Sequence, residues 1–238
     1  MKVDILAIGV HPDDIELGCS GTILKAVQDG KKVAVLDLTQ GELGTRGSAE
    51  LRIEEAKKAA QILGLTDRVI LNIGDGFFQH SNENMLEILK YIRHFQPKIV
   101  LANALSDRHP DHGRAGKLIS EACFYAGLPK IETSLNEQKQ TSHRPTAVYH
   151  YVQDRYTDPD LVVDVSQVWE SKVKSIMAYS SQFFDPKSTA PETPISSKAF
   201  MDFIDGRGTQ FGRLINVKYG EGFTMARPAG VNQILDVI

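Results

Sequence analysis

Val3-Asp4-Ile5-Leu6-Ala7-Ile8-Gly9-Val10-His11-Pro12-Asp13-Asp14 is an apolar run, broken by one aspartate, that ends in a histidine and two adjacent acids. A short run of this kind reads as a strand buried on both faces of a parallel sheet. Beyond it, helix and strand signals alternate. Residues 16–28 carry Leu17, Ile23, Leu24 and Val27 at helical spacing and stop at Gly30, and 33–38 is a second strand. Residues 49–63 form a charged amphipathic helix closed by Gly64. Strands over 69–73 and 98–102 and helices over 84–95 and 113–126 continue the pattern. Strand–helix alternation at this spacing predicts an α/β fold: a Rossmann-like, mainly parallel sheet with helices on both faces.

Past Pro129 the pattern loosens. Residues 136–145 read as a polar loop, 146–152 and 161–165 as strands, and 168–179 as a helix. A Pro/Ser/Thr loop over 185–197, long enough for a lid, precedes a final helical stretch over 198–216. A single domain over residues 1–238 is expected, since this length suffices for one core.

The chain has 27 Lys or Arg against 30 Asp or Glu, and a net charge of -3 argues against a nucleic-acid partner. No apolar stretch reaches the length of a membrane span, so no membrane partner is expected. Cys19 and Cys123 make no disulfide framework, and no signal peptide is recognisable. The expected location is the cytoplasm.

His11-Pro12-Asp13-Asp14 and Arg108-His109-Pro110-Asp111-His112 each come after a predicted buried strand, where open α/β folds place their chemistry. Imidazoles with carboxylates suit a catalytic zinc. His11, one of the two aspartates and a histidine from the second cluster make three protein ligands and leave a position for water. The remaining aspartate is then free to take a proton from that water. With His112 opening the next helix and turned to the metal, His109 stands beside the site. Asp111 is placed to hold that ring for oxyanion stabilisation or proton donation. The plainer reading makes Asp13, Asp14 and Asp111 helix caps, but caps do not explain a His-Pro pair in both turns. No Gly-x-Gly-x-x-Gly comes after the first strand, and two carboxylates there repel phosphates, so a dinucleotide site is not expected.

His11-Pro12-Asp13-Asp14-Ile15-Glu16 and His109-Pro110-Asp111-His112 resemble the paired motifs of the PIG-L/LmbE-like zinc N-deacetylases of N-acetylglucosaminyl compounds. The likeness extends to residues 39–47, 51–56, 179–183 and 219–223. The resemblance implies Zn2+ as cofactor, with His11, Asp14 and His112 as its ligands. It makes Asp13 the general base and His109 the acid or oxyanion partner, with Asp111 orienting it. It also implies removal of the N-acetyl group from a small amino-sugar conjugate. Within the family the likeness points to members that act on N-acetyl-alpha-D-glucosaminyl L-malate in bacillithiol biosynthesis. A chitin disaccharide or a mycothiol precursor is the alternative substrate. A non-catalytic sugar-binding protein is the alternative class, and a free carboxylate at Asp13 argues against it. By family analogy a homo-oligomer, a hexamer, is expected.

Arg46 and Arg52 lie beyond the second strand on the side of the sheet that carries both clusters. Arginine pairs bidentately with carboxylates, so both are candidates to hold an acidic aglycone. Gly41, Gly44 and Gly47 around Arg46 suggest a loop that a ligand approaches closely. Glu42 is read as a partner for sugar hydroxyls or a helix cap. Arg108 is read as a substrate contact or as one half of a surface ion pair with Asp107, and Glu221 as a pocket-lining residue.

Overall fold

The computed structural model describes residues 1–236. In chain order the elements are β1 (Ile5–Gly9), α1 (Asp14–Gln28), β2 (Val33–Asp37), α2 (Ala49–Leu63), β3 (Asp67–Ile70) and α3 (Asn82–Phe95). Next come β4 (Ile99–Ala102), α4 (Pro110–Ala126), β5 (Ser134–Leu135), β6 (Gln138–Lys139), β7 (Ala147–Tyr151) and β8 (Leu161–Asp164). The last are α5 (Trp169–Met177), α6 (Lys198–Leu214) and β9 (Gly220–Met225).

Seven strands form one sheet in the order β3-β2-β1-β4-β7-β9-β8, and β5 and β6 make a separate small hairpin. Strands β3, β2, β1, β4 and β7 run parallel, whereas β9 is antiparallel to both its neighbours. Side chains along β1 alternate between two apolar layers, as the pleat requires. Leu6 and Ile8 pack with Ile88, Ile92 and Phe95 of α3 and Leu118 and Ile119 of α4. Ala7 joins Ile15 and Ile23 of α1, Ala59 of α2 and Ile176 of α5 on the other face. Burial on both faces is why these strands read as continuous apolar runs.

β1 lies between β2 and β4, so the order of the sheet reverses beyond the carboxyl ends of β1 and β4. Such a switch point is where open α/β sheets form their crevice, and both histidine clusters leave the sheet there.

Two segments differ from expectation. The polar stretch 136–145 contains β6, one arm of the hairpin, and β9 carries no period-2 apolar signal because Gly220 and Gly222 occupy every second position. Gly220 is a steric necessity, since a Cβ there would meet Val162 and the Gly212 backbone, and a Cβ at Gly222 would crowd Pro159 and the Phe211 ring. Among the described residues no helix is long and apolar enough to cross a membrane.

Candidate active site

Helix α1 begins without a side-chain cap. Asp13, at its N-cap position, has φ 112°, and its carboxylate makes no bond to the helix. A non-glycine residue held so far into positive φ stores about 1–3 kcal/mol, which its surroundings must retain. Arg52 supplies that restraint, donating to Asp13 Oδ2 at 2.8 Å and also to the Pro12 carbonyl. Gly41 lets the guanidinium through, since a Cβ there would collide with it.

Asp14 is no cap either. Its Oδ2 accepts from the backbone N–H groups of Val10 and His11, both at 3.0 Å, and from Asn103 Nδ2 at 2.9 Å. Its Oδ1 accepts from Gln153 Nε2 at 3.1 Å. The cap of α4 is His109, whose Nδ1 accepts from the Asp111 N–H at 3.3 Å.

His112 ties its Nδ1 to Asp107 Oδ2 at 2.5 Å and aims Nε2 at Asp14 Oδ1, 3.2 Å away. His11 is arranged in the same sense. Its Nε2 lies 2.9 Å from Asp75 and 3.4 Å from Asp111, and its Nδ1 faces Asp14 Oδ2 at 3.9 Å. Metal-binding histidines are oriented in this way, with a carboxylate on the far ring nitrogen. Edge-on to the His11 ring, at 4.8 Å between centroids, stands His109.

The donor atoms close enough to share one ion are those of His11, His109 and His112, or of His11, Asp75 and Asp111. Asp14 belongs to neither group, yet its two oxygens face His11 Nδ1 and His112 Nε2. Asp75 and Asp111 instead sit behind His11, accepting from the Leu43 and Gly76 N–H groups. Two imidazoles and a carboxylate are borderline N/O donors that fit a divalent cation.

Charge couples these groups to one another. Burial opposes a charge on His11, but hydrogen bonds to Asp111 and Asp75 overcome it and raise the imidazole to about 10. His112 is raised to about 9 against burial, by Asp14 and Asp107. Burial also opposes charge on Asp14, while His112 and His11 hold it far below the usual carboxylate range. Asp13 differs from its neighbour: burial raises it to about 7 while Arg52 pulls the other way. His109 is lowered by burial and by the imidazoles of His11 and His112.

Above this floor is a cavity of about 480 Å³, walled by Leu43, Phe77, Arg108, Ile195, Phe200, Ile204 and Arg207 among others. A cleft of about 580 Å³ beside β4 and β7, lined by Lys98, Arg144 and Arg227, holds no residue of either histidine cluster. Chemistry belongs to the first.

Residues 6–123 match the family model PIG-L, described as GlcNAc-PI de-N-acetylase. The chain is 36% identical over 189 residues to diacetylchitobiose deacetylase of Thermococcus kodakarensis, covering 75% of this chain and 70% of that one. It belongs to the PIG-L deacetylase family. Another PIG-L relative is the probable N-acetyl-alpha-D-glucosaminyl L-malate deacetylase 2 of Bacillus anthracis, 27% identical over 192 residues, 75% of this chain and 81% of that one. Among solved structures, the conserved protein TT1542 from Thermus thermophilus superposes with a TM-score of 0.85 at 30% identity, over 98% of each chain.

In this PIG-L chain His11, Asp13, Asp14, His109, Asp111 and His112 all line the one cavity, as do Arg52 and Arg108. Other placements depart from the sequence reading. Arg46 donates to the carbonyls of Pro191 and Ala190, so it fastens the 185–197 loop and does not line the cavity. Glu42 spans the N–H groups of Gln40 and Asp75 and likewise faces its own loops. The Asp111 carboxylate turns away from His109 toward His11, the Gly76 N–H and Arg114. Arg108 pairs with Asp154 at 2.7 Å, not with Asp107. Glu221 is buried against α1, where it accepts from the Gly21 and Thr22 N–H groups and pairs with Lys172 at 2.7 Å. Asp75, Asp107, Asn103, Gln153 and Arg207 were not foreseen. Only Asp75 leaves a local trace, lying between Gly74 and Gly76, both at positive φ.

Proposed function

We propose that this PIG-L protein removes the N-acetyl group from an N-acetylglucosaminyl conjugate, using zinc held by His11, Asp14 and His112. The division of labour between two adjacent aspartates carries this reading. Asp14 faces two imidazoles, whereas Asp13 faces the cavity with one oxygen on Arg52 and a proton affinity poised near neutrality. A zinc ion bound there supplies Lewis-acid polarisation of the acetamide carbonyl and lowers the pKa of a water to roughly 7.

Asp13 accepts the proton of the water that attacks the acetamide carbon. The Asp111 N–H occupies His109 Nδ1, so a neutral His109 carries its proton on Nε2, where it donates to the developing oxyanion. The C–N bond breaks, the amine leaves with the proton taken up by Asp13, and acetate is the second product. At the mouth, Phe77 and Leu43 are 83% and 59% exposed and offer apolar faces to a pyranose ring.

Two conjugates are favoured as substrates. N-Acetyl-alpha-D-glucosaminyl L-malate is the one the sequence motifs suggest, and diacetylchitobiose is supported by the higher identity to the archaeal relative. Incubating the zinc-loaded protein with both conjugates and with free N-acetylglucosamine, and measuring acetate and free amine, tests the proposal. Equimolar acetate and amine from at least one conjugate is the expected result. Absence of acetate from all three overturns it in favour of a sugar-binding protein.

A further inference from the structure

We infer that Arg207 is the anchor for an anionic group, carboxylate or phosphate, on the part of the substrate remote from the acetamide. This rests on the deacetylase reading and concerns the same cavity. The other arginines near the site are already engaged: Arg46 with two loop carbonyls, Arg52 with Asp13, and Arg108 with Asp154. Arg207 is not. It lines the cavity from α6, and among the described residues no carboxylate forms an ion pair with it.

Among the described residues its one hydrogen bond runs from Nη2 to the Leu17 carbonyl at 2.9 Å, and its guanidinium lies 5.4 Å from the centroid of the Phe203 ring. Fixing that carbonyl does not require it, because Lys172 Nζ donates to the same oxygen at 3.0 Å. A guanidinium has five N–H donors in a planar fork, and one such bond leaves an edge for a bidentate anion. Burial pulls Arg207 down to about 10, with Glu221, Asp154 and Asp107 acting only at a distance. Leu17, Phe200 and Ile204 beside it are apolar, and in such surroundings a charged bond is stronger than in water.

Position assigns the role. Leu17 lies about one turn of α1 beyond Asp14, on the order of 5 Å along the axis. The guanidinium therefore stands to one side of the reacting amide, within reach of a group carried across the sugar ring.

The test uses zinc-loaded wild type, Arg207→Met and Arg207→Lys. Calorimetry reads binding of N-acetylglucosaminyl malate, N-acetylglucosamine 1-phosphate and the neutral methyl N-acetylglucosaminide, and acetate release is followed separately. Wild type is expected to bind at least one anionic conjugate about tenfold or more tightly than the neutral one, and the tighter of the two identifies the anion. Arg207→Met is expected to bring the affinities within about twofold of each other, with the loss falling mainly on the anionic conjugates, and Arg207→Lys to keep part of the preference. No preference in wild type, a preference that survives Arg207→Met, or an equal loss for neutral and anionic conjugates overturns the inference. A wild-type preference that Arg207→Met abolishes, without acetate release, supports the anchor and defeats the deacetylase reading.

Discussion

Arg52 donates to Asp13 across 2.8 Å, and the two side chains are only 6% and 7% exposed. This pair joins α2 to the strained residue that opens α1. With Asp13 as the proposed base, it gives Arg52 a positioning role for the carboxylate. Removing one member of a buried ion pair costs about 3–5 kcal/mol, and here part of that loss falls on the geometry of Asp13. Arg52→Ala is therefore expected to lower kcat/KM about tenfold or more for neutral and anionic conjugates alike. Steady-state kinetics on both classes checks this. A loss confined to anionic conjugates would show that Arg52 binds the aglycone instead.

In the proposed zinc site Asp107 acts through His112. Its carboxylate fixes the ring with Nδ1 outward, so Nε2 is presented to the floor of the site. Partners of this kind are worth about 10–100-fold in metal affinity. Asp107→Asn is expected to weaken zinc binding by that amount in a chelator-competition titration, and His112→Ala to abolish tight binding. Unchanged affinity in both variants removes His112 from the ligand set.

Beneath the site, Arg68 of β3 pairs with Asp37 at 2.7 Å and Glu16 at 2.6 Å, both acids fully buried. Burial raises Asp37 to about 6 even with Arg68 opposing it. A raised carboxyl binds its proton more tightly folded than unfolded, so its contribution to stability falls as pH rises from near 4 to 6. Without Arg68 that window extends upward. Arg68→Ala is expected to cost about 3–5 kcal/mol in urea unfolding, with a larger deficit at pH 8 than at pH 5. An equal deficit at the two pH values contradicts this coupling.

Strands β1, β2 and β4 are readable from sequence because both their faces are buried, leaving short runs with almost no polar residue. Strand β9 is unreadable for the opposite reason: Gly220 and Gly222 give way to Val162 and Phe211, so the packing signal sits in other segments. At the site, the residues that come in contiguous groups, His11 to Asp14 and His109 to His112, are visible as chemistry. Asp75, Gln153 and Arg207 enter singly from three separate segments, and no spacing rule connects them; Asp107 directly precedes the second cluster, but only the folded loop turns it onto His112. The glycines around Arg46 suggest room for a ligand, but Gly41 makes room for Arg52. Capping, the plainer role for Asp13 and Asp14, fails on geometry, since neither carboxylate bonds to the first turn of α1.

The most direct measurement is acetate release by Asp13→Asn beside wild type, each with its zinc content determined. An amide at this position keeps the shape of the side chain but cannot take the proton of the attacking water. Asp13→Asn is expected to retain about one zinc per chain and to lose about 10²–10⁴-fold in acetate release. Undiminished release by Asp13→Asn, or loss of its zinc while Asp14→Ala keeps the metal, contradicts Asp13 as the base and Asp14 as the ligand.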